Sequence, residues 1–182
     1  MKALIKPIAI VALCTSLCSC ATYNIAYVKA EAPVQKAQKL YILVADSLSD
    51  YRYIGNNAQN SFMKTVSFDV SQMLNKMGVK NTLKYYSGVY SLETMGDVNQ
   101  KIKDYSPDAI ITVKREQSTM GSSKYGTYYN GGTYTLTVST GDTKKAYWKS
   151  IVGSFNEYYM TDADYSDLAK QIVNQLKADG II

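Results

Sequence analysis

Lys39-Leu40-Tyr41-Ile42-Leu43-Val44-Ala45 is apolar at nearly every position. A strand with one wet face alternates apolar and polar residues, whereas a strand covered on both faces reads as an unbroken apolar run. This segment is therefore expected at the centre of a sheet. C-terminal to it, Asp46 to Asn57 reads as a polar loop, with Asn56 or Asn57 capping the next helix. Phe62, Val66, Val70, Met73, Leu74 and Met77 then recur at three- and four-residue steps. Lys64, Asp69, Gln72 and Lys76 fall elsewhere on the wheel and Gly78 supplies a stop, which predicts an amphipathic helix. Val79 to Tyr86 suits a second strand. Met95, Val98, Ile102 and Tyr105 form another helical stripe closed by Ser106-Pro107, and Asp108 to Lys114 is a third strand whose start is apolar on both faces.

The pattern changes beyond Lys114. A Gly- and Tyr-rich stretch from Gly121 to Gly132 leads into Tyr134-Thr135-Leu136-Thr137-Val138, where apolar residues alternate with threonine as in a strand with one buried face. Gly141-Asp142 turns the chain into Lys145 to Phe155, a hairpin partner carrying Trp148. Leu168, Ile172, Val173 and Leu176 make a closing helix that stops at Gly180. Thr161 to Asp167 places oxygen ligands at alternating positions, as a calcium loop would, but lacks the central glycine and the distant glutamate. It reads as a helix start, with Thr161 as cap and the acids favoured by the helix dipole. Trp148 and the methionines of the first helical stripe read as core. The expected fold is an α/β (α+β) two-layer sandwich of about five strands in a mixed sheet with about three helices, in the order β-α-β-α-β-β-β-α.

The run Leu136-Thr137-Val138-Ser139-Thr140-Gly141-Asp142-Thr143-Lys144-Lys145-Ala146-Tyr147-Trp148 resembles the hairpin of envelope lipoprotein domains, in which a strand ends in a glycine turn and the returning strand carries a tryptophan. The segment Leu168 to Gly180 is similar to the closing helix of the same group. That group includes the amino-terminal domain of TolB, the periplasmic part of the curli secretion lipoprotein and the lipoprotein activators of penicillin-binding proteins. The resemblance implies helices packed on a mostly central sheet and implies binding rather than catalysis. It carries over no active-site residue.

The amino terminus has an independent signature. Lys2 and Lys6, the apolar run Ile8 to Leu17 and the small Ser19 have the layout of a secretory signal peptide. Leu17-Cys18-Ser19-Cys20 reads as a lipobox, so Cys20 is the expected acylated first residue of a lipoprotein and residues 1–19 its signal peptide. Cys14 and Cys18 each follow a leucine where the peptidase needs a small residue. A spanning helix needs about 20 apolar residues, roughly twice this run. Stable anchoring takes two or more acyl chains, which a lipoprotein's modified cysteine supplies. Residues 20–38 read as a lipidated tether, although Tyr23, Ile25, Tyr27 and Val28 alternate loosely enough for a short edge strand instead. Residues 39–182 are expected to form a single domain.

Composition narrows the chemistry. Removing the leader lowers the formal charge from +5 to +3, too mild for nucleic-acid binding, and no basic run supports it. Cys20 is the one cysteine left, and histidine is absent. Thiol nucleophiles, thiolate metal sites and the usual general base are thereby removed, and no cofactor is expected. Carboxylates remain, but Asp46, Asp50, Glu93 and Glu116 show no spacing that implies the paired acids of a glycosidase.

One stretch invites a recognition role. Tyr125, Tyr128, Tyr129 and Tyr134, interleaved with Asn130 and several glycines, resemble a contact loop, because tyrosine offers broad amphipathic area at low rotamer cost. The alternative is a mobile hairpin whose tyrosines cover the sheet edge. The sequence reading is a non-catalytic binding or assembly factor, lipid-anchored on the periplasmic face of the outer membrane, with an envelope protein as its partner. The residue after Cys20 is Ala21 rather than the aspartate that retains lipoproteins in the inner membrane of some bacteria. A cell-wall glycan module stacking sugars on the tyrosines is the second reading, and a carboxylate-based hydrolase the third.

Overall fold

The computed structural model describes residues 23–29, 35–45, 62–86, 91–124, 126–141, 145–155, 157 and 160–182. Strand β2 (Lys39–Ala45) lies at the sheet interior, flanked by β3 (Lys80–Tyr86) and β4 (Ala109–Ser123) and parallel to both. Parallel neighbours need crossover connections. These are supplied by helix α1 (Phe62–Lys76) between β2 and β3, and by helix α2 (Met95–Tyr105) between β3 and β4. Strands β4, β5 (Gly126–Thr140) and β6 (Ala146–Ser154) follow as antiparallel hairpins, and helix α3 (Asp162–Ala178) closes the chain. The sheet order is β1-β6-β5-β4-β2-β3, where β1 (Tyr23–Lys29) pairs antiparallel with β6.

That first strand corrects the tether reading. Tyr23, Ile25 and Tyr27 are half-buried and pack against the main core, so the short edge strand weighed against the tether is present and the sheet has six strands. The Tyr23 hydroxyl donates to Asp167 Oδ2 at 2.6 Å and accepts from Gln171 at 3.0 Å, which ties β1 to α3. Asn56, Asn57 and the turn residue Asp142 lie outside the described residues.

The alternation of β2 splits the interior into two cores. Leu40, Ile42 and Val44 face α1 and α3, while Tyr41 and Leu43 face Val98 and Ile102 of α2 on the opposite side. Handedness accounts for this. The step from β2 to β3 moves one way across the sheet and the step from β3 to β4 moves back, so right-handed crossovers must place α1 and α2 on opposite faces. The two-layer arrangement therefore gains a local third layer over β2 and β4, and both faces of β2 are buried as its sequence requires. Trp148 is buried in the main core, as expected. Met77 is exposed, because α1 stops at Lys76 and Gly78 takes a positive φ of 81°.

Helix starts follow their caps. Thr94 and Thr161 each accept from the third helical residue, Asp97 and Asp164, and each aspartate accepts from the threonine amide in return. The end of the sheet where β2, β3 and β4 begin is also cross-linked. Asp108 Oδ2 accepts from the amides of Gln38 and Lys39 at 2.8 and 2.9 Å, and the Ala37 amide donates to the Ile181 carbonyl at 2.8 Å. Gly141 fits there because a Cβ would lie 2.1 Å from the Pro107 carbonyl oxygen. Among the described residues, no helix is long and apolar enough to cross a membrane.

Candidate functional site

The Gly121 to Gly132 stretch is not a loop. It forms the far halves of β4 and β5, paired in register from Ser118 opposite Gly132 to Ser123 opposite Gly126, with a bulge where Thr119 and Met120 face Gly131 and Tyr129. Tyrosine, threonine and serine suit a ladder, and φ values of 124° at Gly126 and 149° at Gly131 need glycine. Strand β2 pairs with β4 only as far as Lys114, and β6 pairs with β5 only as far as Thr133. Beyond those points, among the described residues, the two strands pair as strands only with each other. They form an arm projecting past the end of the sheet.

The base of the arm is built from polar groups held in the core. Tyr134 is 1% exposed, its ring packs on Phe62 at 5.3 Å between centroids, and its hydroxyl donates to Glu157 Oε1 at 2.9 Å. The Arg115 guanidinium lies 5.4 Å from the centre of the same ring. Ser154, fully buried, accepts from the Gly132 amide at 3.0 Å, donates to the Gly132 carbonyl at 3.1 Å and also bonds Glu157. At Gly131 a Cβ would sit 2.3 Å from the Ser154 carbonyl oxygen, so the backbones approach closely. Together these contacts fix where the arm leaves the domain.

The expected recognition residues separate accordingly. Tyr134 is a core residue and not a contact residue, because its even register on β5 points it at the helices with Leu136 and Val138. Asn130 is half-buried at the bulge. Tyr128 and Tyr129 are strand residues of the arm, opposite Gly121 and Met120. Tyr125 and Cys20 lie outside the described residues. Sequence reasoning missed Arg115, Ser154 and Glu157 as the arm's base, and in a linear chain nothing marks three polar residues scattered over 43 positions as neighbours.

Several of the described carboxylates are engaged in structure. Glu93 bridges Lys84 and Lys101, and those ammonium groups hold its carboxyl below the usual range, the Lys101 hydrogen bond most of all. Asp167 is lowered chiefly by the Tyr23 hydrogen bond, and Asp97 by the Thr94 amide. Asp179 accepts from Trp148 Nε1 at 2.7 Å and from Gln175 at 3.0 Å, and Glu116 lies 3.3 Å from Lys114. Asp69 is raised, first by burial and then by Asp162. Among the described residues, no cluster of acids, cysteines or histidines is arranged to hold a metal.

Burial pushes the tyrosines up. Tyr27 and Tyr147 are both raised from 10 to about 12 by desolvation, with Asp179 adding to the shift at Tyr27. The folded chain thus keeps protons that the unfolded chain releases above pH 10. Stability from these groups is whole below pH 10 and is lost as pH climbs toward about 12. The melting temperature is expected to fall across that window, and Tyr27→Phe with Tyr147→Phe to make the fall shallower. An equally steep fall in the double variant would exclude these two groups as its source.

The sheet order, two crossover helices and C-terminal helix define an α+β domain with one open mixed sheet. No protein-family model matches the chain, and no curated protein matches it in sequence. Among solved structures, a leucine-to-methionine variant of the PelC dodecamer from Paraburkholderia phytofirmans is similar at a TM-score of 0.50 and 8% identity, over 83% of this chain and 96% of that one. Lipoprotein GNA1162 from Neisseria meningitidis gives a TM-score of 0.45 at 8% identity, over 77% and 98%. TolB from Acinetobacter baumannii gives 0.39 at 9%, over 86% of this chain and 31% of that one. The shared fold is that of PelC, and at 8% identity the likeness is one of fold alone.

Proposed function

We propose that this chain is a lipid-anchored, non-catalytic binding or assembly factor on the periplasmic face of the outer membrane. The observation that carries the reading is the position of the lipobox. Cys20 lies only three residues before β1 in the sequence, so an acyl group there would be within a short reach of the edge of the sheet. A PelC variant that shares this fold is a dodecamer, which makes a second copy of this chain one candidate partner. Binding rather than catalysis is supported by the carboxylates, because Glu93, Asp97, Asp164, Asp167 and Asp179 are committed to caps and cross-links.

The test is acylation. Cys20→Ser is expected to remove the acyl mass from the mature protein and move it wholly from the detergent phase to the aqueous phase, while Cys18→Ser leaves partitioning unchanged. A Cys20→Ser protein that still partitions into detergent overturns the site. Crosslinking in intact envelopes then separates binding from catalysis: a specific protein adduct supports an assembly role, and turnover of cell-wall sugar by the purified chain excludes it.

A further inference from the structure

The start of β1, three residues after Cys20 in the sequence, and the β4–β5 arm are at the same end of the sheet. Tyr23, the first residue of β1, is paired with Ser154 at the end of β6. Ser154 in turn bonds Gly132 of β5, which is opposite Ser118 of β4. The arm leaves the domain at this row. From Gln117 to Ser123 it runs seven residues, roughly 20 Å at strand rise. Cys20 is three residues ahead of Tyr23, a reach of about 10 Å at most. The arm therefore extends at least as far from the sheet as the acylated residue can, and it stands only two strand spacings to the side, since the order here is β1-β6-β5.

The arm's composition suits that position. The sixteen residues from Gln117 to Gly132 carry a single charge, Lys124, and three tyrosines. Met120 on the arm is 42% exposed and Phe155, beside its base, is 49% exposed. Tyrosine concentrates at membrane–water interfaces, where its ring sits at headgroup depth with the hydroxyl in water. Paired backbones allow a ribbon to enter that zone, because its ladder satisfies the amides and carbonyls between the two strands. The opposite end of the sheet has the cross-links made by Asp108, Ile181 and Gly141.

We propose that the β4–β5 arm is a second membrane contact, which lies in the headgroup layer beside the acyl anchor and holds the domain upright on the lipid surface. The proposal rests on acylation at Cys20. It names the surface that the arm meets, and it commits the arm to lipid rather than to a protein or a glycan.

The test uses the acylated mature chain reconstituted in vesicles of phosphatidylethanolamine and phosphatidylglycerol. Acylated Cys20 leaves no free thiol, so Ser122→Cys on the arm and Ala146→Cys at the far end each take one environment-sensitive fluorophore. Both residues are exposed, and a thermal melt of each labelled protein checks that it is folded. The label at 122 is expected to shift to the blue on reconstitution and to be quenched severalfold more by brominated lipid than the label at 146. A protein that floats with the vesicles but is unquenched at 122 overturns the arm contact and leaves the anchor intact. Equal quenching at both positions also overturns it, because the domain then lies flat. A chain that neither floats nor carries acyl mass overturns the anchor, and this orientation with it, since the reach is measured from Cys20. Replacing Met120 and the tyrosines at 125, 128 and 129 by serine should abolish quenching at 122 without releasing the protein from the vesicles. Unchanged quenching in that variant would count against the tyrosine and methionine side chains as the source of the contact.

Discussion

Trp148→Ala is expected to destabilise the domain by about 3–5 kcal/mol, a large part of the roughly 5–15 kcal/mol that holds a domain of this size folded. Trp148 is 1% exposed and joins three elements. From β6 its ring packs on Tyr27 of β1 at 5.8 Å between centroids, and its Nε1 donates to Asp179 Oδ2 at the end of α3. It also lines a small apolar void between the sheet and the helices, together with Ile42, Ile172 and Leu176. Removing the indole merges its volume with that void, and the surrounding strands are too well paired to collapse into it. Trp148→Phe divides the effect. It keeps most of the apolar contact and loses the hydrogen bond to a carboxylate, a change of about 1.5–3 kcal/mol. Denaturant melts of both variants check the two values, and equal losses would mean that the bond to Asp179, not burial, holds β6 to α3.

The elements legible in the sequence are those whose burial forces a period. Leu40 to Val44, the α1 stripe from Phe62 to Leu74 and the α3 stripe from Leu168 to Leu176 each bury a face against the main core, so the apolar spacing has to match the geometry. The cap at Thr161 is readable for a similar reason, since the free amides of a first turn demand a nearby acceptor, whereas the sequence reading does not single out the equivalent cap at Thr94. Strand β1 is harder to see. It is an edge, covered on one side by partly buried Tyr23, Ile25 and Tyr27, and such a pattern differs little from a tether.

The arm reads as a loop for the opposite reason. Little core lies under Gln117 to Ser123, so nothing selects alternation there, and the glycines that permit the bulge and the close approach at Ser154 look like flexibility. Composition groups Tyr134 with the neighbouring tyrosines, whereas register divides them: it faces Phe62 on the core side of β5. The projection of the arm and its common end with the start of β1 follow from strand directions, which a one-dimensional pattern does not contain.

Ile42→Ala carries the second large expected effect, about 2–5 kcal/mol, and it tests the reading of the first strand directly. Ile42 is 1% exposed at the middle of β2, paired with Leu83 on one side and Ile111 on the other. Its side chain faces α1 and α3 and borders the same void as Trp148. Losing three carbons removes their transfer free energy and enlarges a space that is already unfilled. Relaxation is limited here, because β2 is held by backbone ladders on both edges and by α2 on its other face. The loss should therefore fall in the upper half of the range. Ile42→Val, which removes one methylene, should cost about 0.5–1.5 kcal/mol at the same site. Denaturant midpoints at unchanged slope measure both. A loss under about 1 kcal/mol for the alanine variant would show that the strand yields and that the core does not centre on β2.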